Sequence, residues 1–238
     1  ICYKHFGFTD IRVNLSTRPE KKAGDEATWD EAEDALKSAL DQVHPDYKIK
    51  QGDGAFYGPK IDVQIADALE RYHQLGTIQL DFQLPARFDL KFTNSEGAEE
   101  QPVVIHRALL GSLERFFGVY LEHVGGAFPF WLAPEQAVIV PVNNEYHLEE
   151  AKKLSDDLNA KGYRVRVDDR NESMGYKTRQ IQRSKVPYMI VLGDREIENQ
   201  TVNIRAYGEK KNQTLSREEL FDCFYQHQLE RIPGPLRE

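Results

Sequence analysis

Between Trp29 and Val43 apolar residues return every three or four positions, at Trp29, Ala32, Leu36, Ala39, Leu40 and Val43, with charged residues filling the intervals. That is the period of an amphipathic helix. Thr28 followed by Glu31 has the form of a capping box and predicts that the helix begins there. Further on the period falls to two. Ile61, Val63 and Ile65 alternate with Asp62, Gln64 and Ala66, and Ile78, Leu80, Phe82 and Leu84 alternate with Thr77, Gln79, Asp81 and Gln83. Both stretches predict strands with one apolar and one polar face. Asn94, Ser95, Glu96 and Gly97 predict a turn that would set 80–84 antiparallel to 103–105. Leu109, Leu110, Leu113, Phe116, Phe117, Tyr120 and Leu121 then cover most of a helix circumference, the pattern of a helix that is largely buried.

Gly125, Gly126, Pro129 and Pro134 break the periodicity and predict a domain boundary near Leu132, giving domains 1–132 and 133–238. Beyond it strands are predicted at 137–142, 163–167, 188–192 and 202–206, and helices at 146–160, 175–185 and 217–228. This alternation implies a small α/β domain with mostly right-handed crossovers.

The chain has 238 residues, 40% of them hydrophobic, enough for two cores. Its formal charge of -8 argues against binding phosphate backbone over the whole surface but leaves room for a local basic face. Such a face is predicted between 162 and 211, where 11 Lys and Arg stand against 7 Asp and Glu. Arg164, Arg166, Arg170, Lys177, Arg179, Arg183 and Lys185 are interleaved there with Tyr163, Tyr176 and Tyr188, which could stack on bases; a solvated basic face accounts for the pattern equally well. Cys2 and Cys223 have no CxxC spacing, so neither a disulfide framework nor a thiolate zinc site is indicated, and a reducing cytoplasm is expected. No run of about 18 apolar residues marks a membrane span. The chain opens on Ile1 rather than Met and is expected to be a piece of a longer polypeptide.

Three features carry candidate chemistry. The loop GDGAFYGPKID bends on three glycines and a proline just before Lys60, a cation suited to a carboxylate or phosphate. His106 abuts an apolar strand, where a lone histidine is more often a hydrogen-bonded core residue than a metal ligand. Arg115 follows Glu114 in a helix rich in Leu and Phe. A buried guanidinium there would need an anion beside it, and an exposed one would pair with Glu114; composition leaves both open.

The segments LSTRPEKKAG (15–24), GAFYGPKID (54–62), GTIQLDFQLP (76–85), IHRALLGSLERFFG (105–118) and FPFWLAPEQ (128–136), in this order and spacing, resemble the bacterial threonyl-tRNA synthetase family over essentially the whole chain. The resemblance implies the end of a class II catalytic domain, an α+β fold on an antiparallel sheet, followed by an α/β anticodon-binding domain with a mixed sheet. It implies ATP-dependent activation of L-threonine and transfer to tRNA(Thr), with Mg2+ accompanying ATP. LLGSLERFFG resembles the third class II motif, which makes Arg115 the residue for ATP phosphate, with Gly111 and Glu114 in the same motif. His106 corresponds to one of three protein ligands of a zinc ion that binds the amino and hydroxyl groups of threonine and so excludes valine. Tyr57 and Lys60 match residues lining the threonine and adenylate pocket, and Gln74, Thr77, Gln79 and Ser112 match further pocket positions. Asn171, Arg179, Glu196 and Arg205 match positions that read anticodon bases. The family's other zinc ligands and its first two motifs lie N-terminal to this chain, so the segment alone is expected to be inactive and a weak zinc binder. The parent is expected to be a cytoplasmic homodimer. The alternative is a non-catalytic RNA-binding or regulatory paralogue. On this reading His106 and Arg115 stand in an apolar stretch because a metal and a phosphate offset their burial.

Overall fold

The computed structural model describes residues 2–231. They fall into two compact units. One comprises Phe8–His123 with the first residues through Lys4, the other His5–Gly7 with the residues from Val124 onward. This division lies ahead of the Leu132 position expected from the glycines and prolines.

The first unit contains α1 (Cys2–His5) up to Lys4, β1 (Ile11–Ser16), α2 (Glu26–Val43), β2 (Lys48–Lys50), β3 (Lys60–Ala66), β4 (Tyr72–Asp81), α3 (Gln83–Arg87), a small hairpin of β5 (Phe92–Thr93) and β6 (Glu99–Glu100), then β7 (Val104–Ala108) and α4 (Leu113–His123). Its five-stranded sheet has the order β2-β1-β3-β4-β7, antiparallel except for β1 with β2. Alternation sorts the sheet into two faces. Val13, Leu15, Ile61 and Leu80 pack with Ala32, Leu36 and Leu40 of α2 on one face, and the polar residues go to the other.

Three expectations need correction. Helix α2 begins three residues early, because the Asp25 carboxylate accepts from both the backbone N–H and the hydroxyl of Thr28, each at 2.9 Å, and so takes the capping role given to Thr28. Ala39 and Val43 of its apolar set are exposed. Strand β4 stops at Asp81, whose Oδ1 accepts from the amides of Gln83 at 2.8 Å and Leu84 at 3.0 Å and turns the chain into α3. Phe82 and Leu84 keep a strand-like alternation in sequence only. Helix α4 is not largely buried. Phe116, Val119 and Tyr120 pack inward, with Phe8 against both rings, while Leu113 is 68% and Phe117 55% exposed and Leu121 is exposed as well. Val103, just before the terminal strand β7, and Ile105 within it are exposed as well.

The second unit contains β8 (Ala137–Pro141), α5 (Asn144–Ala160), β9 (Val165–Val167), α6 (Met174–Arg183), β10 (Tyr188–Leu192), α7 (Asp194–Glu198), β11 (Thr201–Ala206), β12 (Gln213–Ser216) and α8 (Arg217–Glu230). Its mixed sheet has the order β12-β11-β10-β8-β9, with β9, β8 and β10 parallel and the remaining pairs antiparallel. Ile139, Ile190, Leu192 and Ile204 pack with Leu154 and Leu158 of α5 and Leu220 and Phe224 of α8. Val138, Val140 and Met189 pack on the opposite side with Ile181 of α6. The expected order of elements is present, with α7 and β12 added; both are too short for periodicity to reveal.

Candidate functional site

The polar face of the first sheet is built around a carboxylate. Asp62, in the middle of β3, is 1% exposed. Its Oδ1 accepts from Gln74 Nε2 at 2.5 Å and Thr77 Oγ1 at 3.2 Å, and its Oδ2 pairs with Lys60 Nζ at 2.9 Å. The Ser16 hydroxyl lies 3.0 Å from the same oxygen and 3.2 Å from Asp53 Oδ2. Three sequence-predicted residues, Lys60, Gln74 and Thr77, thus share one buried acceptor, and a lysine that looked like a free cation is already paired. Asp62 went unrecognised because an aspartate on a strand's polar face reads as solvent-facing. Its signal is the Lys-x-Asp spacing, which puts both charges on one face of a residue type that strands otherwise disfavour.

Register extends the site across the sheet. Lys60 lies opposite Gln79, and Gln79 opposite His106, so the three form a row over β3, β4 and β7. The Tyr57 hydroxyl donates to Gln79 Oε1 at 2.5 Å, and the Tyr57 ring stands edge-on to the imidazole with centroids 6.3 Å apart. Tyr57 can reach this row because Gly58 lets the loop press against β4, where a Cβ would sit 1.8 Å from the Leu80 carbonyl oxygen. His106 Nε2 lies 2.9 Å from Asp81 Oδ2. Burial opposes ionisation of Asp81, but the Leu84 and Gln83 amides and the imidazole outweigh it and hold the carboxyl below its ordinary range. A cleft of about 270 Å³ opens here, lined by Phe56, Tyr57, Asp81, Gln83, Leu84, Arg87 and His106.

The greasy interior expected around His106 and Arg115 is absent. The His106 side chain is 41% exposed at the cleft, and Arg115 and Glu114 lie on the surface of α4. The apolar residues that suggested burial, Leu113, Phe117 and Leu121, themselves face outward. Ser112 Oγ accepts from the Arg115 amide at 3.2 Å and starts the helix. Gly111, at φ +67°, brings the preceding turn within 2.8 Å, measured from an added Cβ, of the Leu75 carbonyl oxygen. An imidazole backed by a carboxylate is the arrangement of ligating histidines. Among the described residues, however, no three His, Cys, Asp or Glu side chains converge to hold a metal, so they do not make a zinc site by themselves.

In the second unit much of the basic cluster is occupied internally. Arg164 donates to the carbonyls of Ala133 at 2.9 Å and Trp131 at 3.2 Å, Arg166 pairs with Glu135, and Lys185 donates to the Gly125 carbonyl. Arg170 grips both oxygens of buried Asp168 at 2.8 and 2.7 Å and keeps that carboxyl below its ordinary range. Tyr163 and Tyr188 pack against Phe130 in the core, so of the three tyrosines Tyr176 alone presents a face. Arg179 and Arg183 on α6 and Asn171 before it are exposed. Arg205 lies opposite Met189, on the α6 side of the sheet, with Nη2 3.8 Å from the Met189 sulfur. Its Nε and Asn203 Oδ1 are buried with no hydrogen-bond partner among the described residues. Glu196 spends one carboxylate oxygen on the Gly193 amide, 3.0 Å away, at the start of α7. Arg179, on α6, and Arg205 therefore belong to one side of the sheet.

Residues 1–124 match the family model described as tRNA synthetase class II core domain (G, H, P, S and T). The chain belongs to that family. Residues 136–227 match the anticodon binding domain, so the class II core is followed here by a second recognised module. Threonine–tRNA ligase 2 of Bacillus subtilis is 50% identical over 211 residues, covering 89% of this chain and 33% of the relative. Threonine–tRNA ligase of Thermotoga neapolitana is 46% identical over 236 residues, covering 99% and 35%. The crystal structure of the RNA binding domain of threonyl-tRNA synthetase from Cryptosporidium parvum Iowa II superposes with a TM-score of 0.88 at 43% identity, covering 94% of this chain and 56% of that one. The chain thus spans about a third of the length of these curated relatives.

Proposed function

We propose that the chain is the C-terminal part of a threonine–tRNA ligase, contributing to ATP-dependent activation of L-threonine and reading the anticodon of tRNA(Thr). The observation that carries this reading is the row Lys60–Gln79–His106 on one sheet face, with Asp62 and Asp81 fixing its two ends. Lys60 and exposed Arg115 would meet the charges of the adenylate and the ATP phosphates, the latter with Mg2+. Tyr57, Gln74, Thr77 and Gln79 would orient the substrate through hydrogen bonds already arranged on the sheet, so that catalysis is mainly positioning and charge stabilisation. Gly111, Ser112 and Glu114 shape the turn that presents Arg115. His106, backed by Asp81, is our candidate for the one zinc ligand this chain would supply; a zinc ion completed by other residues would act as a Lewis acid toward the threonine hydroxyl. Asn171, Arg179, Glu196 and Arg205 would contact anticodon bases. The parent enzyme is proposed to be a cytoplasmic homodimer.

A chimera tests the catalytic half. With this chain replacing its counterpart in the Thermotoga neapolitana ligase, threonine-dependent ATP–pyrophosphate exchange is expected, falling by about 100-fold or more in Arg115→Ala. A folded chimera without exchange, or exchange driven equally by valine, overturns the reading. The anticodon half is tested separately. Arg205→Ala in this chain should weaken a tRNA(Thr) anticodon stem-loop far more than a non-cognate one, whereas equal losses would limit Arg205 to phosphate contact.

A further inference from the structure

Lys177 is 3% exposed, the one deeply buried member of the basic cluster. It lies in the first turn of α6, where the positive end of the helix dipole disfavours a cation, and its ammonium has lost its water. An apolar side chain would serve the packing of α6 better, so the charge needs a local reason. Nζ donates to the Asp168 main-chain carbonyl at 2.9 Å. The Asp168 amide donates to the Ile139 carbonyl at 2.8 Å, so the peptide groups on both sides of this residue are held, while its carboxylate is gripped by Arg170. From the next residue the Asp169 carbonyl accepts from Asn144 Nδ2 at 2.6 Å, and the far end closes where Ser173 caps α6. The bonds at Asp168, Asp169 and Ser173 fix the two ends of the segment 168–173. Asn171 is left exposed at its crest.

We propose that Lys177 is a positioning residue for RNA recognition: its buried ammonium clamps the 168–173 loop, so that Asn171 meets an anticodon base without first being ordered. The inference rests on the proposed role of Asn171 as a base reader. A loop fixed before binding spares the complex the entropy of fixing it during binding, and that advantage reaches the RNA only through the residue the loop presents.

The test is a double-mutant cycle on the full 238-residue chain, with a fluorescent tRNA(Thr) anticodon stem-loop as probe. Lys177→Met keeps the stem and removes the ammonium; it should weaken binding about 5- to 10-fold. Combined with Asn171→Ala it should bind no more weakly than the worse single variant, whereas combined with Arg205→Ala, on a different element, the two losses should multiply. A merely structural role would make both combinations multiply. Asn144→Ala, on the surface of α5, is the second variant should Lys177→Met fail to fold. It should cost about 2- to 3-fold and likewise add nothing to Asn171→Ala. Asn171→Ala weakening the RNA while Lys177→Met, or Asn144→Ala in its place, binds as wild type or multiplies with it overturns the clamp alone. Asn171→Ala binding as wild type overturns both the clamp and the base-reading role beneath it.

Discussion

The residues that organise the first unit's polar face are two aspartates, and neither contacts solvent to any extent. Asp62 is the more exacting, since three candidate pocket side chains share it. Asp62→Asn would keep most of the hydrogen bonds and leave the Lys60 ammonium, 14% exposed, without its counter-charge. The expected cost is about 2–3 kcal/mol in urea unfolding of the first unit; a loss no larger than that of a typical surface change would show that Lys60 finds another anion. Asp67 supplies a pH test. Its carboxylate accepts from His73 and from the main chain and guanidinium of Arg71, which together outweigh burial and hold it far below the ordinary carboxylate range. A depressed native pKa stabilises the fold above the unfolded value and loses that contribution as pH falls through the native one. The melting temperatures of wild type and Asp67→Asn should therefore differ at pH 7 and converge progressively below about pH 4. Sequence named Lys60 and His106 from their local setting, and Tyr57 through the motif. It did not name the acids beside them, because an aspartate on the polar face of a strand reads as solvent-facing unless its spacing from a lysine is weighed.

At the scale of elements, periodicity was most informative where one face of a helix or strand is buried and the other is not. Helices α2, α5 and α8 lie close to their expected positions for that reason. Boundaries moved where a side chain competed with the pattern, as Asp25 and Asp81 did. The burial of α4 was misjudged because apolar residues on both sides of a helix do not reveal which side has a neighbour. Two glycines make contrasting tests of local geometry. Gly58→Ala puts a methyl group into the Leu80 carbonyl and should destabilise by about 2 kcal/mol or more. Gly118, within α4, has open space around it, and Gly118→Ala should stabilise by about 0.5–1 kcal/mol. Equal effects from the two would remove the close approach of loop and strand from the account of the site.

On the scale of the molecule, each unit has its own sheet and its own apolar core, and the two do not draw on the same residues. Calorimetry should therefore resolve more than one transition, with Asp62→Asn shifting one and leaving the other in place. The second unit's order of elements was legible because parallel strands joined by helices give a regular alternation, while composition did not show that five of the seven cations also hold the domain's own loops, carbonyls and carboxylates together. Strand β7 ends its sheet with Val103 and Ile105 exposed. A hydrogen-bonding rim fringed with hydrocarbon is an invitation to any strand of matching length, including one from another copy in the same tube. The chain purified alone should grow in light scattering with concentration and warmth, and Ile105→Lys should quiet it.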